Sequence, residues 1–264
     1  MSLEKVIVLS SYDKEYPSQS NSNFVVNLKE RSFTQAVNRI QVKDISVPNV
    51  FPNLRGTTYG DQQNNQLVID KLGVKTAIVV PEGQYVISTL GVPPPNDFIT
   101  ALESAINTTY GAGTVTITFD EVTQKLTFTW NIADYQFVSP TDDPRSLMND
   151  VLGITEADTG TTGLVITASG TPFLNGYDQV YLQSEKIAGA NGIDGSFGLI
   201  PLIETISFHN TPFGAYAHKQ QNDSELSQIV YEDPKDLSTI QITLRDVTGN
   251  ILDTGTHPIT ITFK

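Results

Sequence analysis

Between Leu237 and Phe263 the apolar residues fall on alternate positions, Ile240, Ile242 and Leu244 first and then Ile259, Ile261 and Phe263. A period of two places each set on one face of a β-strand, whereas a helix would scatter them around its circumference. Asp246-Val-Thr-Gly249 separates the two runs, with Asp where a turn begins and Gly where φ must turn positive. This part of the chain can therefore fold only as two half-buried strands, and it predicts a β protein.

The same pattern recurs upstream. Val6–Leu9 reads as a short strand or edge segment, followed by a polar, turn-rich stretch from Ser10 to Asn23. Phe24, Val26 and Leu28 alternate as a strand. Val37–Val47 is another, but its apolar parity changes from Ile40/Val42 to Ile45/Val47, as a β-bulge would require. Gln66–Asp70 and Thr76–Val80 predict a hairpin around Lys71-Leu-Gly73. After Pro93-Pro-Pro95 the period changes: Phe98, Ala101, Leu102, Ala105 and Ile106 mark an amphipathic helix, capped by Asn96 or Asp97 and stopped near Tyr110-Gly111. A hairpin of Val115–Phe119 with Leu126–Trp130 follows. A second, short helix is expected over 143–153, with Asp143 as cap, Pro144 as first residue and Gly153 as left-handed stop. Further strands are expected at Gly163–Thr167, Gln179–Gln183, Leu202–Phe208 and Gln228–Tyr231, with a turning loop over 189–198. The fold class is mainly β: an antiparallel β-sandwich formed by 1–80 and 161–264, with a small α+β insertion, helix–hairpin–helix, over 81–160.

The 264 residues include 16 basic and 29 acidic side chains, a formal charge of −13 that disfavours wrapping a phosphate backbone. The absence of cysteine excludes disulfides, thiolate metal sites and a cysteine nucleophile. Val6–Leu9 is too short for a signal-peptide core or a membrane span, and no other segment comes close, so a soluble chain is expected.

The residues offer little chemistry. His209 and His218 flank a Pro-Phe-Gly loop at a spacing that matches no zinc signature, and His257 precedes a proline at a strand start. Asp120/Glu121, Asp142/Asp143 and Glu232/Asp233 are sequence-adjacent pairs, which point to opposite faces in strands and bond backbone amides in turns. A glycosidase instead needs two carboxyl groups facing each other across a substrate. A β-sandwich hydrolase would need Asp178, Glu204 and His209 to converge in a cleft. Gly192-Ile-Asp-Gly-Ser-Phe-Gly198 opens no helix, so it lacks the amide cradle of a phosphate loop. Trp130 continues the parity of Leu126 and Phe128 and reads as core. Tyr12, Tyr16 and Phe51 are less easily buried and are candidates for a protein interface. No catalytic, cofactor-binding or metal residue is assigned, no cofactor is expected, and the chain is not expected to be an enzyme.

Set in order, these segments resemble the single jelly-roll penton, or minor capsid, proteins of virophages, Polinton-like viruses and large icosahedral DNA viruses. The resemblance is carried by Tyr12-Asp13 through Pro17, Ser22–Leu28, the strand end Val47-Pro48-Asn49, and Ile240–Gly249 with its return strand. Pro81–Tyr85, Phe98-Ile-Thr-Ala-Leu102 and Ser146–Gly153 add to it. It implies a single jelly roll and a homopentamer at the five-fold vertices, surrounded by the major capsid protein of the same virion. It further implies an insertion that projects outward, no direct contact with nucleic acid, and assembly inside the host cell. The alternative is a receptor- or carbohydrate-binding β-sandwich of the fibre or lectin kind.

Overall fold

The computed structural model describes residues 6–28, 37–57, 63–88, 92–174, 176–188, 192–194, 198–220, 228–235 and 237–264. The chain opens with β1 (Ile7–Ser10), a 3-10 turn (Ser11–Asp13), β2 (Asn23–Asn27) and β3 (Val37–Pro48). Next come β4 (Gln66–Lys71), β5 (Val74–Val79), α1 (Phe98–Tyr110), β6 (Val115–Asp120), β7 (Lys125–Trp130), β8 (Tyr135–Phe137), α2 (Asn149–Leu152) and β9 (Val165–Thr167). The remainder is β10 (Gln179–Gln183), α3 (Glu185–Ala188), β11 (Gly192–Asp194), β12 (Gly198–Ile200), β13 (Leu202–Ser207), β14 (Tyr216–Gln220), β15 (Gln228–Lys235), β16 (Thr239–Arg245) and β17 (Thr260–Phe263). Two compact units result, 1–51 with 177–264 and 52–176. The second unit is wider than the expected 81–160, because β4 and β5 pair with β8 rather than with the sandwich.

The first unit is an antiparallel β-sandwich. One sheet runs β1-β17-β3-β14, with β15 also on β3, and the other runs β13-β10-β16-β2. Leaving out β15 and the short β11–β12 hairpin, these eight strands can be counted in chain order. They then lie first-eighth-third-sixth in one sheet and fifth-fourth-seventh-second in the other. Every strand joins the sheet opposite its chain neighbour except the fourth and fifth, which form a hairpin; this is the double-sheet jelly roll. The two terminal alternating runs therefore do not pair with each other. β16 lies between β2 and β10, while β17 lies between β1 and β3. Ile240, Ile242 and Leu244 point inward from one sheet, and Ile261 and Phe263 from the other, all fully buried. Burying each such side chain is worth about 1.5–3 kcal/mol, so the alternation drives the layering. The parity change in β3 is a bulge: Thr262 pairs with Asp44 and Phe263 with Val42, which leaves Lys43 as the extra residue.

Val6–Leu9, read as a short strand or edge segment, is the edge strand β1, which pairs along its length with β17 and buries Leu9. Other expectations need correction. Phe51 is core, edge-on to Tyr177 at 5.4 Å and 5.8 Å from Phe208. Gly192–Asp194 and Gly198–Ile200 form a short hairpin within the expected loop; residues 189–191 and 195–197 lie outside the described residues. β14 was not foreseen, because Ala217 is its one buried residue and Lys219, on the same face, is a partly exposed lysine paired with Glu204 at 2.7 Å.

In the second unit Phe98, Leu102 and Ile106 form the buried stripe of α1. Asp97 is the cap: its Oδ2 accepts from the Thr100 amide at 2.8 Å and its Oδ1 from the Ser88 amide at 3.0 Å. Around them are packed Trp130, stacked on Tyr135 at 4.8 Å, together with Phe128 and Phe137. The expected helix over 143–153 shrinks to Asn149–Leu152: Asp143 accepts from the Arg145 amide at 3.0 Å as a cap would and also binds the Arg145 guanidinium, but the chain after it forms turns before helix begins. Gly153 is the left-handed stop, at φ 70°.

Candidate functional site

The catalytic alternatives are settled by where the strands put their residues. Glu204 lies opposite Leu182, while Asp178 precedes the Gln179–Ser207 rung and its carbonyl accepts from the Phe208 amide. Four rungs at 3.3 Å each separate Asp178 from Glu204, about 13 Å. Glu204 is engaged by Lys219, and His209 is exposed in the turn beyond β13. The three do not converge. Asp120 accepts from the amides of Val122 and Thr123, and those bonds hold its carboxyl below the usual carboxylate range. Asp143 makes two bonds to the Arg145 guanidinium, at 2.9 and 2.7 Å, and accepts from the Arg145 amide at 3.0 Å, which lowers it to about 2. Both acids are turn fixtures, as expected. The side chains of Glu232 and Asp233 lie outside the described residues. Among the described residues no group of three or more His, Asp and Glu is placed to hold a metal ion, and no helix is long and apolar enough to cross a membrane.

What the first unit presents instead is an aromatic surface. The 3-10 turn after β1 starts where Ser10 accepts from the Tyr12 amide, and the Ser11 hydroxyl accepts from the Ile259 amide at 3.0 Å. The following loop is laid along the outer edge of β2. The Glu15 amide donates to the Val25 carbonyl at 2.7 Å, and the Val25 amide donates to Gln19 Oε1 at 2.9 Å. Lys14 Nζ crosses the loop to the Gln19 carbonyl at 2.7 Å, and Asn21 Nδ2 anchors it to the Gly255 carbonyl at 2.8 Å. The polar residues that made this stretch read as turn-rich are the ones that fix it. Held in this way, Tyr12 and Tyr16 remain 68% and 54% exposed.

The Tyr12 hydroxyl donates to the Thr256 carbonyl at 3.2 Å, and it lies near enough to Tyr216 to act on that residue's titration. Burial, and secondarily Tyr12, raise the Tyr216 hydroxyl above its ordinary pKa. Tyr216 is stacked on His218 with ring centroids 6.3 Å apart and 28° between planes. Both project from the outer face of β14, His218 opposite Ser46 and Ser46 opposite Thr260. Tyr216 and His218 thus form a stacked aromatic pair beside a hydroxyl-lined strand face, and Tyr12 is a separate exposed aromatic on the same unit. Tyr side chains of this kind supply much contact area at low entropic cost, and they anchor interfaces. Tyr12 and His218 were each singled out in the sequence, but Tyr216 was not. Its only signal is the i, i+2 spacing to His218.

No family model matches this chain, and no curated protein matches it. Among solved structures the chain is similar to the crystal structure of the SeMet-labelled mavirus penton protein, with a TM-score of 0.40 and 11% sequence identity over 98% of each chain.

Proposed function

We propose that this chain is a structural virion protein with no catalytic role. In this reading it is the penton capsid protein of an icosahedral DNA virus, a homopentamer at the five-fold vertices that contacts the major capsid protein of the same shell. The observation that carries the reading is the pair of strand orders, since the double-sheet jelly roll recurs in viral capsid domains. A fold does not select a function, so the reading leans also on where the resemblance segments fall. Ser22–Leu28 is β2 with its leading turn, Val47-Pro48-Asn49 ends β3, and Ile240–Gly249 is β16 with its turn. The 52–176 unit is then an insertion between the third and fourth strands of the roll. A five-fold ring needs two different surfaces on each subunit, and the Tyr216–His218 pair is offered as part of one. An acidic chain suits a shell component that does not hold nucleic acid.

The test is the solution mass of the purified chain by light scattering after gel filtration. Five copies of a 28.9 kDa chain give about 145 kDa, and that species is expected. A trimer would move the chain to a hexon-like or fibre role, and a strict monomer at every concentration would sink the pentamer. The exposed aromatic side chains also favour a second reading, a receptor- or glycan-binding sandwich, because sugar rings stack on such faces. That reading requires glycan binding that is lost in Tyr12→Ala and Tyr216→Ala while the assembly mass is unchanged.

A further inference from the structure

Edge strands expose a row of backbone donors and acceptors, and folded proteins protect them. Two of the edges here show how this is done. The outer groups of β2 are taken by Glu15 and Gln19. The outer groups of β6 are taken by α1: Asn107 Oδ1 accepts from the Val115 amide, Asn107 Nδ2 donates to the Val115 carbonyl, and Glu103 accepts from the Ile117 amide. β5 is different. It pairs with β4 through six consecutive rungs without a register shift, closed by the two-residue turn Leu72-Gly73. In such a hairpin Lys71–Val74 is a hydrogen-bonded pair, and so are Ile69–Thr76 and Leu67–Ile78. The backbone groups of Lys75, Ala77 and Val79 therefore point away from the sheet, and among the described residues no hydrogen bond takes them up.

The side chains leave the same edge open. Val79 is 53% exposed and Val74 65%. The six residues Val-Lys-Thr-Ala-Ile-Val contain no proline, no glycine and no acid, although the chain as a whole carries a charge of −13. The single lysine does not guard the edge, since its Nζ donates to the Asp142 carbonyl at 3.2 Å. The hairpin is also stiff. Leu72 holds a left-handed φ of 53°, and Asp70 Oδ1 accepts from the Gly73 amide at 2.6 Å.

We propose that β5 is a docking edge for β5 of a second copy of this chain, joined antiparallel about a two-fold axis through Ala77. The register is self-complementary. Lys75 faces the partner's Val79, so no like charges oppose each other, and the small Ala77 sits on the axis opposite its own copy. Each outward residue exchanges both of its backbone bonds with its opposite number. This contact is independent of the penton reading, because a two-fold edge adds a link that a five-fold ring does not contain.

The experiment uses the full chain. It has no cysteine, so Ala77→Cys introduces a single thiol. Opposed hydrogen-bonded residues place their Cα atoms about 5.5 Å apart, within disulfide reach. Oxidation by disulfide glutathione, which is reduced as the two thiols join, is expected to give a covalent pair on a non-reducing gel. Val122→Cys, on the more exposed tip of the β6–β7 hairpin, is the control and is expected to stay single. By light scattering the wild type is expected to double its mass with concentration. Ala77→Pro removes the unused outward amide without taking a β4–β5 rung bond, and Val79→Lys sets a cation against the partner's Lys75. Both are expected to abolish the doubling while thermal unfolding stays within a few degrees of wild type. If Ala77→Cys pairs no better than the control, or if both variants still double, the proposal is wrong. A five-fold species that persists in Ala77→Pro separates loss of this contact from loss of the ring.

Discussion

Gly153 shows how one residue can be fixed twice over, by its backbone and by its neighbour. Its φ is +70°, and a Cβ there would meet the Gly170 carbonyl carbon at 2.6 Å, on a segment whose amide donates back to the Gly153 carbonyl at 2.8 Å. Gly113 has a similar φ of +74° with open space around it. Gly113→Ala is therefore expected to cost only the left-handed penalty, about 1 kcal/mol. Gly153→Ala adds overpacking against backbone, for a total of roughly 3 kcal/mol or more. Denaturant unfolding of the two variants measures the difference, and equal costs would mean that the 153–170 contact can give way. Asp143 gives a pH test at the same scale. Its folded value of about 2 lies below its ordinary 3.8, so the Arg145 pairing adds stability that is full above the ordinary carboxylate range. That contribution is lost as pH falls through about 2. Carboxyl chemical shifts followed through an acid titration should place the Asp143 midpoint there, and Arg145→Ala should return it toward 3.8.

At the scale of elements, β1 is a short strand at the sheet edge, next to a polar, turn-rich stretch. The structure makes Ile7–Ser10 a full partner of β17, with Leu9 in the core and the Ser11 hydroxyl holding the Ile259 amide. Deleting residues 2–20 removes that strand and uncovers the outer edge of β2. It is expected to give an unfolded or aggregating chain, read as loss of the cooperative thermal transition. A deletion variant that still melts cooperatively near the wild-type temperature would mean that the fold does not need β1. The four-residue α2 starts later than its sequence suggests. Asp143-Pro144 carries a helix-start pattern and Asp143 makes the cap-type bond to the Arg145 amide, yet helix begins only at Asn149.

At the scale of the whole molecule the chain is a jelly roll interrupted once. In the roll, Phe51 before the break and Tyr177 after it meet edge to face. In the second unit, buried Asn53 gathers the two ends: its Nδ2 donates to the Tyr85 carbonyl at 2.7 Å and the Leu174 carbonyl at 3.0 Å, and its Oδ1 accepts from the Tyr85 amide. With its own core and clasped ends, residues 52–176 expressed alone are expected to fold, giving a dispersed amide spectrum and cooperative unfolding. Asn53→Ala should destabilise the piece by about 1–3 kcal/mol, because it orphans buried backbone groups. The sequence by itself determined which face of each strand is buried, the bulge in β3, the α1 stripe and the stop at Gly153, since each is set by backbone geometry within a few residues. Only the tertiary structure decided that β16 and β17 part into opposite sheets, that the weakly patterned β14 is a strand, and that the Tyr12 hydroxyl reaches the Thr256 carbonyl. Those outcomes depend on pairings such as Ile7 with Phe263, where the partner is chosen by burial and hydrogen bonding across the whole chain. No local period can encode that choice.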